Sequence, residues 1–175
     1  MAQFARPDST INLGLWGETG AATLYEAIDE ISANDFTDYI TAGDPVQDIC
    51  DLGLSAVSDP SSSAGHIIRV KAMAPSGFAL LTVTLFEGAS ARASFAVNPV
   101  TSIFTVYDYT LSGAEADSIT NYSNLAIQFD AVGGGVDPVS ITWHEVEFPD
   151  AGSPPDPVIG SAGQFDPDLI LEAWF

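Results

Sequence analysis

Apolar and polar positions alternate through most of the chain, and the period is two. In the segment from His66 to Ala72, Ile68, Val70 and Ala72 alternate with Arg69 and Lys71. Period two is the spacing of a strand with one face inward, so this is a half-buried strand, apolar inward and basic outward. Leu81, Val83 and Leu85 alternate with Thr82 and Thr84 in the next run, after a Pro75-Ser76-Gly77 turn. Gly88 closes that strand, and Ala91 to Val97 returns as its hairpin partner. The β-branched and aromatic run from Ile103 to Leu111 fits a pleated surface better than a helix. Leu125, Ile127 and Phe129 alternate again before the Gly133-Gly134-Gly135 break.

The last strong strand runs from Val139 to Phe148, and its parity changes. Val139, Ile141 and Trp143 share one face, while Val146 and Phe148 fall on the other. An inserted residue flips the inward set, so a β-bulge is expected near His144 or Glu145, unless the strand end is simply covered on both faces. Trp143 then belongs to the core with Ile141, Leu81, Val83, Leu85 and Ile68. The stretch from Asp29 to Thr41 reads as a short strand with loops.

One helix stands out. Ser112-Gly113-Ala114-Glu115 has capping-box spacing, and Ala114, Ala116 and Ile119 continue the turn until Asn121-Tyr122-Ser123-Asn124 ends it. Many short strands, one short helix and frequent Gly and Pro give an all-β fold: an antiparallel β-sandwich, jelly-roll-like, with an extended C-terminal tail. Residues 1–149 form the sandwich domain, and 150–175 form a Pro/Gly-rich linker and an apolar tail. Phe165, Leu169, Ile170, Leu171, Trp174 and Phe175 lie beyond that linker, where they have no evident core of their own. They are the expected partner-binding residues, since aromatic anchors dominate interface energies.

Composition narrows the partners. With 175 residues, 46% of them hydrophobic, the chain is large enough to hold a core without staples. Four basic residues stand against 24 acidic ones, a formal charge of -20. Neutralising phosphates requires clustered Lys and Arg, so nucleic acid and anionic membranes are not expected partners. The acidity itself reads as a solubilising coat or as complementarity to a basic partner. No apolar run has the length of a membrane helix or a signal peptide, so synthesis in a cytoplasm is expected. Cys50, the single cysteine, reads as a buried small hydrophobe.

The chemistry-bearing residues do not assemble into a reactive pattern. His66 and His144 have no metal-ligand spacing; His144 alternates with Trp143 and faces solvent or the opposite sheet, in a structural role. Glu145 and Glu147 share a strand face in the manner of a glycosidase pair, but exposed strand carboxylates are far more often solubilisers. Asp35, Asp38, Asp44, Asp48 and Asp51 cluster in sequence without matching a calcium loop. No catalytic residue, cofactor or metal is expected, and the chain reads as a non-enzyme.

Several pieces resemble a known kind of domain. The order Arg6-Pro7, Trp16, Leu24-Tyr25 with Ile28-Asp29-Glu30, and Asp38-Tyr39-Ile40 is similar to the opening of a structural domain of tailed-bacteriophage virion proteins. The resemblance continues through Ser58-Asp59-Pro60, Gly65-His66 with Arg69-Val70, Tyr109-Thr110-Leu111, Ala116 to Leu125, and Trp143 with Glu145, Glu147 and Pro149. It implies a jelly-roll-like sandwich on a virion, at the head surface or in the tail, with no catalytic residues. Two function classes follow. One is a capsid decoration, cement or minor capsid subunit that packs against other virion proteins and copies of itself, made in the host cytoplasm and residing in the virion. The other is a carbohydrate-binding jelly-roll module, with Tyr107, Tyr109 and Tyr122 as candidate platforms for a glycan.

Overall fold

The computed structural model describes residues 1–32, 37–43, 46–76, 79–98, 100–133 and 138–151. Two antiparallel sheets pack face to face, as the alternating pattern requires. The strands are β1 (Gln3–Ala5), β2 (Pro7–Asn12), β3 (Gly17–Thr19), β4 (Tyr39–Thr41), β5 (Asp48–Leu54) and β6 (Ile67–Met73). They continue as β7 (Leu80–Glu87), β8 (Ser90–Val97), β9 (Thr105–Thr110), β10 (Leu125–Val132) and β11 (Ser140–Phe148), with the helix α1 (Gly113–Asp117) between β9 and β10. Sheet A has the order β3-β4-β11-β6-β9, with β1 also paired to β11; sheet B has the order β2-β5-β10-β7-β8.

From β4 onward every connection crosses between the sheets except the β7–β8 hairpin, so β4-β11-β6-β9 faces β5-β10-β7-β8. That connectivity is a jelly roll. The alternating segments fill the space between the layers: Ile68, Val70 and Ala72 from β6, Leu81, Val83 and Leu85 from β7, and Leu125, Ile127 and Phe129 from β10 are all buried in one cluster with Cys50. The helix begins as its sequence dictates. The Ser112 hydroxyl accepts from the Glu115 amide at 3.3 Å, and the Glu115 carboxylate accepts from the Ser112 amide at 2.7 Å. Gly88 turns the β7–β8 hairpin with φ 57°, a conformation that disfavours any side chain.

β11 departs from the sequence expectation in a specific way. Its register against β6 shifts between Ile141 and Trp143, so the extra residue is Thr142, earlier than the expected position near His144 or Glu145. The consequence is a change of face. Ile141 points inward before the bulge, and His144, Val146 and Phe148 point inward after it; Trp143, Glu145 and Glu147 point outward. Trp143 is 9% exposed, but it is not part of the core cluster. Its indole N–H donates to the Glu30 carbonyl at 2.9 Å instead. His144 takes the inward place against the opposite sheet, its ring edge-on to Phe129 with centroids 5.4 Å apart.

The free edge of β11 is closed by three pieces of chain. β4 pairs with Ser140 and Ile141, and β1 pairs with Val146, Glu147 and Phe148. Between them the strap formed by residues 20–32 takes the place of a strand: the His144 amide donates to the Ile28 carbonyl at 3.1 Å, and Leu24, Ala27 and Ile28 are buried. The expected assembly residues Phe165, Leu169, Ile170, Leu171, Trp174 and Phe175 lie outside the described residues.

Candidate functional site

The outer face of sheet A carries the most varied side chains, and strand parity decides which they are. Ile40 and Ala72 point inward, so Tyr39 and Thr41 on β4 and Met73 on β6 point outward; Ser140 precedes the bulge and does the same. Phe104 stands just before β9, out of phase with the half-buried Thr105, Tyr107 and Tyr109. These five residues line an open cleft of about 270 Å³. Thr41 pairs with Ser140, and Ser140 with Met73, so the floor runs across neighbouring strands. Tyr39, on the first strand of β4-β11-β6-β9, and Phe104, just before the last, stand on opposite sides. Three strand spacings separate them, about 14 Å at the backbone. The hydroxyls of Thr41 and Ser140 are 3.0 Å apart, which fixes both on the floor.

Beside the cleft the same face becomes charged. Arg69 donates to Glu145 at 3.2 Å and also pairs with Glu147, while Arg6 reaches Glu145 at 2.7 Å from the point where the chain crosses from β1 to β2. Glu145 is only 6% exposed, so the two guanidiniums supply the charge compensation that burial demands. Glu145 and Glu147 do share a face, as the sequence suggests. They are clamped by arginines rather than set across an open gap for acid–base work.

The other sequence candidates go elsewhere. Tyr107 is turned toward the core and its hydroxyl accepts from the Thr101 amide at 3.0 Å. Tyr109 stacks on Phe95 at 5.3 Å, and its hydroxyl donates to Glu115 at 2.9 Å. Tyr122 is 5% exposed, with its hydroxyl 2.9 Å from His66 Nε2, and burial pushes its pKa up to about 12. Tyr122 is buried, and Tyr107 and Tyr109 pack half-buried against the core, so none of the three is the exposed sugar platform that the sequence suggested. The residues missed were Tyr39 and Phe104. Phe104 shares parity with Val106, Asp108 and Thr110, whose mostly polar character marks the outward side of β9 and could have revealed it.

The aspartates organise loops. Asp48 is buried and accepts from the amides of Leu15 and Gly43, both at 2.9 Å, tying two loops to the start of β5. Asp51 accepts from Asn12 at 3.2 Å and from Gln128 at 2.8 Å on the outer face of sheet B. Asp35 and Asp44 lie outside the described residues. Among the described residues no three His, Cys, Asp or Glu side chains come together as a metal site.

No protein-family profile matches the sequence, and no curated protein matches it. Solved structures do resemble it in fold. One is the carbohydrate-binding module of Cellvibrio mixtus lichenase 5A in complex with cellotriose: 12% identity over 85% of this chain and 98% of that one, with a TM-score of 0.44. A family 29 carbohydrate-binding module gives 13% identity over 90% and 99% of the two chains, with a TM-score of 0.45. The enzymatically active domain of tailspike protein 4 from bacteriophage CBA120 gives 12% over 81% of this chain and 18% of that one, with a TM-score of 0.43. At such identities the likeness speaks to the fold alone. These neighbours are mostly carbohydrate-binding modules, and the expectation of a capsid decoration, cement or minor capsid subunit packed among virion proteins does not match them.

Proposed function

We propose that this protein is a non-catalytic glycan-binding sandwich that holds a neutral sugar in the cleft between Tyr39 and Phe104. The observation that carries the reading is the make-up of that cleft: an aromatic ring on each side, a methionine, and two hydroxyls on the floor. A sugar ring needs both kinds of surface, because its C–H faces are apolar while its rim bears hydroxyls. Each floor hydroxyl carries one donor and two acceptor lone pairs, so the Thr41–Ser140 contact leaves capacity for a ligand. The net charge of -20 disfavours acidic glycans at long range, which is why a neutral ligand is proposed. Binding without chemistry agrees with Glu145 and Glu147 being held by Arg6 and Arg69.

Isothermal titration against a panel of neutral and acidic oligosaccharides tests this. A neutral member should bind, and Tyr39→Ala or Phe104→Ala should each weaken it about tenfold or more, roughly 1.4 kcal/mol. The reading is overturned if no oligosaccharide binds, or if one binds equally well to both variants.

A further inference from the structure

We infer that Thr101, Thr105 and Tyr107 are positioning residues for the cleft: their hydroxyls clamp the turn that sets Phe104 as its second wall. The inference rests on the reading of the cleft as a sugar site and adds what fixes its geometry. The two walls are held differently. Tyr39 lies within β4, in register with Thr19 of β3, so a backbone ladder orients it. Phe104 lies beyond its ladder. The last pair between β6 and β9 is Ala72 with Thr105, and Ser102 and Ile103, just before Phe104, are exposed.

The clamp begins where that ladder stops. The Thr101 hydroxyl donates to the Ile103 carbonyl at 2.9 Å, and the Thr105 hydroxyl donates to the same carbonyl at 3.0 Å. The two hydroxyls are 2.8 Å apart, so residues on either side of Ile103 converge on its oxygen. Tyr107 supplies the base. Its ring packs against the core, and its oxygen accepts from the Thr101 amide at 3.0 Å and lies 2.8 Å from the Thr101 hydroxyl. Each hydroxyl carries one proton. With Tyr107 donating to Thr101 Oγ1, and Thr101 and Thr105 donating to Ile103, every one of those protons has an acceptor. The Thr101 carbonyl accepts from the Ala74 amide at 2.9 Å, which ties the start of the turn to the end of β6.

The clamped oxygen is well placed to act on Phe104. The Ile103 carbonyl belongs to the peptide that carries the Phe104 nitrogen, and a peptide is planar. Fixing that oxygen fixes the plane, and with it the point from which the Phe104 side chain leaves the backbone. Exposed hydroxyls can turn to water at little cost, so sandwich packing does not by itself require three of them to meet in one turn. A wall held in place before a sugar arrives spares the entropy of ordering it on binding.

Para-fluorophenylalanine placed at position 104 of the intact chain reports the wall without any sugar. Its fluorine-19 NMR signal should be single and displaced from that of the free amino acid. Thr101→Val and Tyr107→Phe, which remove a hydroxyl and little else, should move the signal toward the free value. Thr101→Ser keeps the hydroxyl and should leave it in place. A signal unmoved by both Thr101→Val and Tyr107→Phe overturns the clamp, whatever the cleft binds. Affinity is the second readout, taken by titration calorimetry at a temperature where circular dichroism shows every variant folded. For the tightest neutral member of the oligosaccharide panel, Thr101→Val and Tyr107→Phe should each weaken binding about three- to tenfold, and Thr101→Ser should restore it. A merely structural role would lower the melting temperature and leave the affinity of the folded chain unchanged, and that result overturns the positioning role. If no oligosaccharide binds the native chain, the sugar reading falls, and the fluorine signal still decides the clamp.

Discussion

β10 and β11 are the strands at the heart of their sheets, and they solve the same problem differently. β10 alternates without exception: Leu125, Ile127, Phe129 and Ala131 face the core, while Ala126, Gln128 and Asp130 face outward and remain partly accessible. β11 is buried along nearly its whole length, on both faces, although it carries Ser140, Thr142, His144 and Glu145. A strand with one wet face can place its polar groups in water. One covered on both faces must find a partner for each of them. Glu145 finds two arginines, Thr142 finds the Asp38 carbonyl, and Trp143 finds the Glu30 carbonyl. Among the described residues neither ring nitrogen of His144 has a hydrogen-bond partner, and burial keeps the ring neutral against Phe129. Regular packing stabilises β10; β11 depends on a set of specific partners.

The sharpest test of the contrast is Phe129→Ala in β10, the loss of a fully buried ring, which should cost about 3–5 kcal/mol in denaturant unfolding. A loss well under about 2 kcal/mol would mean that the core collapses readily around the gap, and that β10 is not held by packing.

On β11 the expected signature is pH dependence. Burial lowers the His144 pKa from 6.5 to about 3. The unfolded chain binds the proton first, so the stability contribution is complete above about 6.5 and is lost as pH falls toward 3, at up to about 1.4 kcal/mol per unit. His144→Leu should flatten that part of the stability–pH curve by the same slope, leaving the shares of His66 and the carboxylates. An unchanged acid limb would show that folded His144 takes up its proton as easily as the unfolded chain does.

Arg69→Ala should cost less, about 1–3 kcal/mol, because Glu145 keeps Arg6 when Arg69 is gone. Gln128→Ala on the outward face of β10 should cost at most about 0.5 kcal/mol, despite its bond to Asp51. If the two losses were equal, the distinction between a partnered buried strand and a half-wet one would fail.

Much of the fold was legible because its causes are local. Alternation over β6, β7 and β10 names the inward side chains directly, and the Ser112–Glu115 spacing specifies the helix start within four residues. A sandwich follows, since each such strand has one face to hide. The resemblance to virion domains carried the reading toward a capsid role because it rests on scattered residues of a fold that many functions share.

β11 shows where local reasoning stops. The parity change was readable, but its position was not: any residue from Thr142 to Glu145 reconciles Ile141 with Val146. The pairing with β6 chose Thr142, and that choice turned Trp143 out of the core and His144 into it. The strap has no periodic signature, since its place is set by the gap between β4 and β1. Tyr39 and Phe104 are far apart in sequence and meet across a cleft only because β4 and β9 take the outer positions of β4-β11-β6-β9. The sequence by itself determined which strands exist and which side chains seek burial, because alternation acts within one strand. Tertiary structure decided what lines the cleft and what closes β11, because register and strand order are properties of pairs of strands.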